Sequence, residues 1–68
     1  MKNSIRVERA IIRISQQELA DRVGVSRQTI NAIELEKYTP SAIVIMKIAF
    51  IFNKNVEQIF SLEESDWK

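Results

Sequence analysis

The sequence predicts an all-α domain of five short helices, and three observations carry that prediction. Apolar residues recur at helical spacings of three and four along most of the chain. The stretch Ser15 to Glu34 reads as two capped helices joined by a tight turn. Thr39-Pro40-Ser41 then opens a long apolar segment with residues that start helices. The 68 residues leave room for one domain, placed at residues 1–61, with an acidic tail at 62–68. A chain of this size buries only about 60% of its unfolded surface, so association with a second copy would help it.

Taken in order, Asn3 or Ser4 can cap a first helix that runs to about Arg13. Two stripes divide that helix: Ile5, Arg9 and Ile12 on one side, and Val7, Ala10, Ile11 and Ile14 on another. Ser15 can cap the second helix, with Glu18 at the third helical position able to reach back and complete a capping box. Leu19, Ala20 and Val23 share its inner side, and Gly24 can take the left-handed conformation that ends it. Val25 anchors the turn and Ser26 caps again. In the third helix Ile30 and Ile33 face inward, which leaves Arg27, Gln28, Asn31 and Ala32 outward. That outward set suits a DNA major groove. Arg pairs bidentately with guanine, Gln or Asn with adenine, and Ala leaves space for a thymine methyl.

The fourth helix is expected from the Pro40 region to about Phe52, with Pro40 in its first turn and Thr39 or Ser41 as cap. Ala42, Ile45, Ile48, Ala49 and Phe52 form its expected core face. Ile43, Val44, Met46, Phe50 and Ile51 leave almost no polar side, and a helix apolar nearly all round is covered nearly all round. Ile43, Met46 and Phe50 form a ridge at i, i+3 and i+7, the expected homodimer interface, unless the tail covers it through Trp67. Val7 and Ile11 are a second apolar surplus. Asn53-Lys54-Asn55 is a turn, and Val56, Ile59 and Phe60 mark a short fifth helix. The tail is expected either disordered or folded back as a strand.

The segment SQQELADRVGVSRQTINAIE resembles the helix-turn-helix of the lambda-repressor-like (Cro/cI, xenobiotic-response-element) family, and the resemblance continues through KYTPS, MKIAFIF and VEQIF, over about residues 3 to 61. It implies a compact five-helix domain that binds operator DNA as a two-fold dimer and regulates transcription. It turns the Ile5 stripe inward, and it pairs Arg9 with Glu34 as a structural ion pair, where the residues alone also allow a solvated Arg9. It assigns Gln16 to a phosphate contact that also buttresses Arg27, and it groups Ser26, Lys37 and Tyr38 with the phosphate-binding residues. Tyr38 has an alternative role, packing on the core. One departure stands out. Where the family places Asn-Gly or a similar pair after the terminal Glu, this chain has Leu35-Glu36, so either the helix runs on or Glu36 accepts a left-handed conformation.

Composition narrows the function classes. Net charge is only +1, but the tail from residue 61 contributes −2, leaving +3 for residues 1–60. With no cysteine and no histidine there is no disulfide, no thiolate and no imidazole base or ligand; no catalytic residue, metal or cofactor is expected. The few aromatics do not form a stacking platform for single-stranded RNA. The longest apolar run is too short to span a bilayer, no signal peptide is visible, and the expected compartment is the cytoplasm. The expected function is a sequence-specific double-stranded DNA regulator, a repressor acting as a homodimer. The alternative is a protein-interaction module on the same scaffold, such as an antitoxin or coactivator-like adaptor. What separates them is whether Arg27, Gln28 and Asn31 stay open to solvent among phosphate donors.

Overall fold

Serine hydroxyls start three of the helices. In the computed structural model, which describes all 68 residues, Ser15 Oγ accepts from the Glu18 amide at 3.0 Å, Ser26 Oγ from Thr29 at 3.1 Å, and Ser41 Oγ from Val44 at 3.3 Å. Each satisfies one of the amides that the first turn of a helix leaves without a partner. They open α2 (Gln16–Val23), α3 (Arg27–Glu34) and α4 (Ala42–Phe52). Before them lies α1 (Ile5–Ile12), where Asn3 Oδ1 accepts from the Ile5 amide at 3.2 Å and Ser4, although at the cap position, makes no side-chain cap bond. A single turn, α5 (Val56–Ile59), follows α4. Its start is fixed by the Asn55 amide, which donates to Gln58 Oε1 at 2.8 Å.

The five helices enclose a core of Ile5, Ile14, Leu19, Ala20, Val23, Ile30, Ile33, Ile48, Ala49, Phe52, Ile59 and Phe60. No helix is long and apolar enough to cross a membrane. A strand was expected only as an option for the tail from Ser61, and Phe60, expected in the fifth helix, lies in a strand instead. Lys2–Asn3 and Phe60–Ser61 pair as a two-stranded antiparallel sheet (β1 and β2), with Lys2 opposite Ser61 and Asn3 opposite Phe60. Beyond β2 the tail folds into a 3₁₀ turn, Glu64–Trp67, and so is ordered without becoming the expected strand past residue 61. Its carboxylates hold the N-terminal amine: Glu63 Oε1 and Asp66 Oδ2 each lie 3.1 Å from it. The hydrogen bond to Asp66 and then that to Glu63 raise the amine above its ordinary pKa. The Asp66 carboxyl is lowered, first by the Glu63 backbone amide and then by the amine.

Several inward assignments are corrected. Ile12 is exposed because it is the last residue of α1, and Arg13 (φ 59°) turns the chain away there. The buried neighbour of Ile5 is instead Glu8, whose charge is matched by Lys54 Nζ at 2.9 Å. Ala42 is exposed at the rim of α4, one residue past its cap, and Ile45 is half-buried. Pro40 is buried ahead of the helix, not in its first turn. Of the expected capping box at Ser15 only the forward bond is made, since the Glu18 carboxylate pairs with Arg22 at 2.6 Å.

After α3 the helix does not run on; Glu36 takes the left-handed conformation (φ 61°). A side chain at such a position is strained by roughly 1–2 kcal/mol, partly offset in any Gly replacement by the greater freedom of an unfolded glycine. Glu36→Gly is therefore expected to stabilise the domain by roughly 0.5–1 kcal/mol in urea unfolding. No gain would mean that the strain is fully offset, by the freedom of the unfolded glycine or by a contact of the Glu36 side chain.

Candidate nucleic-acid interface

Two short helices can present a reading surface only if their mutual angle is rigid, and buried apolar residues supply that rigidity. Leu19, Ala20 and Val23 on α2 and Ile30 and Ile33 on α3 are all buried, with half-buried Val25 packed against the core from the turn. Gly24 ends α2 at φ 87°, where a side chain would be strained. Lys47 on α4 donates to the Val23 carbonyl at 3.2 Å, satisfying an end of α2 and tying it to the next helix.

On the outer side of α3, Arg27 and Gln28 are exposed, and Asn31 and Ala32 are half-exposed. The ion pairs of the molecule lie elsewhere, so the Arg27 guanidinium carries an unpaired positive charge at the helix start. Lys37 is exposed and Tyr38 is 51% exposed, which removes the alternative of Tyr38 as a core residue. The Ser26 hydroxyl is occupied locally, by the Thr29 amide and by Thr29 Oγ1 at 2.9 Å. No cluster of three or more acidic or other ligating side chains exists that could hold a metal ion.

Behind this surface lies a charged network. Arg9 meets Glu34 with two parallel bonds, Nε to Oε2 at 2.6 Å and Nη2 to Oε1 at 3.1 Å, and gives a third bond to the Ile14 carbonyl at 3.1 Å. The Glu34 side chain is 1% exposed and Arg9 16%, while exposed Arg6 approaches to 3.8 Å. Burial alone pushes the Glu34 carboxyl up. Hydrogen bonds from Arg9 and Gln16 and the charges of Arg9 and Arg6 more than offset that, leaving it below its ordinary value. Arg9 is thus no solvated surface cation.

Gln16 is placed differently from the role the resemblance suggests. Its Nε2 donates to Glu34 Oε1 at 3.0 Å and to Asn31 Oδ1 at 3.1 Å. Both amide hydrogens are then committed, and none is left for a phosphate; no bond joins Gln16 to Arg27. Sequence reasoning missed this link. The one signal for it is a long amide side chain in the first turn of α2, opposite the outward side of α3.

Known proteins place this arrangement. A family model described as Helix-turn-helix matches residues 5–59, the whole span from α1 to α5. An uncharacterized HTH-type transcriptional regulator of Methanocaldococcus jannaschii is 46% identical over 66 residues, covering 97% of this chain and 100% of that protein. The uncharacterized HTH-type transcriptional regulator YgzD of Bacillus subtilis is 42% identical over the same shares. A further one, from Methanothermobacter thermautotrophicus, is 44% identical over 69 residues and the full length of both chains. With the capped helix pair, the open face of α3 and these relatives in agreement, the chain belongs to the Cro/cI-like helix-turn-helix family of DNA-binding transcriptional regulators, which are not enzymes.

Proposed function

We propose that the chain is a sequence-specific repressor that binds a two-fold operator as a homodimer, with α3 in the major groove. The observation that carries the reading is the open start of α3, where Arg27 and Gln28 are exposed and unpaired at a capped helix N-terminus. Side chains at that end reach furthest into the groove, with Asn31 and Ala32 one turn behind. Lys37 and Tyr38 flank them as phosphate contacts, while the Ser26 hydroxyl stays with the Thr29 amide. Gln16 is left out of the phosphate set, since its amide is turned to the protein. This open face also favours DNA over the protein-interaction alternative. Repression needs only occupancy of a promoter in the cytoplasm, which a DNA-binding domain supplies by itself.

The dimer rests on the ridge of α4. Ile43, Met46 and Phe50 are 67%, 65% and 86% exposed, and the ordered tail leaves them uncovered, with Trp67 itself exposed. A two-fold pairing through this ridge would bury it, and would leave α3 of each copy free to enter grooves about 34 Å apart. Selection from random duplex DNA is expected to return a palindromic site, and sedimentation at micromolar concentration a dimer. Met46→Lys should break the dimer while each half-site keeps weak binding. A monomer whose DNA affinity is untouched by Met46→Lys would remove the interface.

A further inference from the structure

We propose that the groove between α2 and α4 binds a free single-chain carboxylate, an anionic amphiphile that competes there with the second copy of the chain. The groove has a volume of about 360 Å³ and is lined by Arg22 on α2 and by Met46, Lys47, Phe50 and Ile51 on α4. That volume lies near the lower end for small-molecule sites, so it suits one short alkyl chain and not a bulky ring system. Met46 and Phe50 are exposed, and half-buried Ile51 packs against the core beneath them. Three apolar residues thus meet two cations, and no carboxylate lines the groove.

The two cations are not equivalent. Arg22 is bonded to Glu18 at 2.6 Å, so its charge is matched within the protein. Lys47 is the only charged residue of α4 and has no ion pair. Its one hydrogen bond within the protein goes to the neutral Val23 carbonyl. An ammonium has three donors, so two of them and a full charge remain beside the apolar surface. A carboxylate for Lys47, joined to an alkyl chain for Met46, Phe50 and Ile51, satisfies both halves of the groove. The α4 of a second copy satisfies only one, since it supplies apolar surface and contains no acidic residue. Both occupants need Met46 and Phe50, so they exclude each other. That exclusion rests on the reading of the α4 ridge as the dimer interface; the binding site does not. Under that reading the carboxylate acts as an inducer, because it separates the two copies and leaves each half-site held by one recognition helix.

The test uses the full chain with methionine labelled by carbon-13 at the methyl group. It gives two signals, Met46 in the groove and Met1 outside it as an internal control. Octanoate, octanamide and octylammonium share a chain length and differ in head group, and each is titrated below its micelle concentration. Octanoate is expected to move the Met46 signal saturably and to leave Met1 in place. Octanamide and octylammonium should bind at least about tenfold more weakly, as loss of a charge-assisted hydrogen bond implies. Lys47→Met keeps the apolar stem and should lower octanoate to the level of octanamide, while Lys47→Arg should restore it. Equal affinity for the three head groups, no saturable shift at Met46, Met1 moving in step with Met46, or octanoate binding unchanged in Lys47→Met overturns the proposal. Should Lys47→Met fail to fold, the head-group ranking on the unaltered protein decides alone. Sedimentation then separates the two readings. A dimer that octanoate converts to monomer is expected, and a dimer that persists at saturation overturns the competition. A protein already monomeric without octanoate sinks the dimer reading instead, and the head-group ranking still judges the site.

Discussion

Replacing Arg9 with alanine is expected to destabilise the domain by about 3 kcal/mol or more, within the range for breaking a buried ion pair. The Glu34 carboxylate, 1% exposed, would lose both bonds of the guanidinium and keep only Gln16 and the more distant, exposed Arg6. Small domains are stable by little more than about 5 kcal/mol, so the variant should approach the limit of folding at room temperature. Glu34→Ala removes the charge that needs a partner, and the double variant should be less destabilised than the two single effects added together; strict additivity would refute the coupling. The pH dependence has a definite sign. Because the Glu34 carboxyl is lowered from its ordinary 4.5, its contribution is present above that value and lost as pH falls through the folded-state value. Urea unfolding should therefore show a wide gap between the unaltered protein and Arg9→Ala at pH 7 that narrows in acid.

Arg27→Ala is the corresponding test at the surface. Its guanidinium is free of ion pairs within the molecule and sits at the start of α3, so its loss should leave the fold unchanged. Binding to the selected site should weaken by roughly 1–3 kcal/mol, with relaxed preference at one base pair, as removal of a bidentate guanine contact would do. Titration against the selected and a scrambled duplex at fixed salt distinguishes the roles. Equal weakening on both would make Arg27 a phosphate contact, and the salt dependence would then fall by about one unit of slope.

What the sequence made legible was local chemistry. Ser15, Ser26 and Ser41 cap their helices through amides only three residues on, and Gly24 and Asn53 take left-handed conformations that their own side chains permit. The outward side of α3 could be read because two buried isoleucines three residues apart fix its phase. Distant partners could not be read this way. Nothing near Glu8 announces Lys54 across 46 residues, and a two-turn helix leaves the inward choice among Ile12, Glu8 and Arg9 to whatever packs against it. The Arg9 to Glu34 pair came from the family resemblance, not from periodicity. The Gln16 to Asn31 bond came from neither, because its direction depends on a carboxylate two links away.

The small sheet bears on the order in which the molecule assembles. Lys2 pairs with Ser61 and Asn3 with Phe60, so these rungs close nearly the whole chain into one loop, whereas α2 and α3 meet across a turn. The entropy lost in closing a loop grows with its length, and a long closure is compensated only once the intervening chain is already compact. The helix pair can thus assemble early from neighbours in sequence, and the strands must wait for the helices to bring the two termini within reach. Phe60, which belongs to both the sheet and the core, is the point where that late step seals the hydrophobic interior. Opening runs the same course in reverse: the ends can detach while the capped helix pair, held by its own turn and its own caps, stays in place.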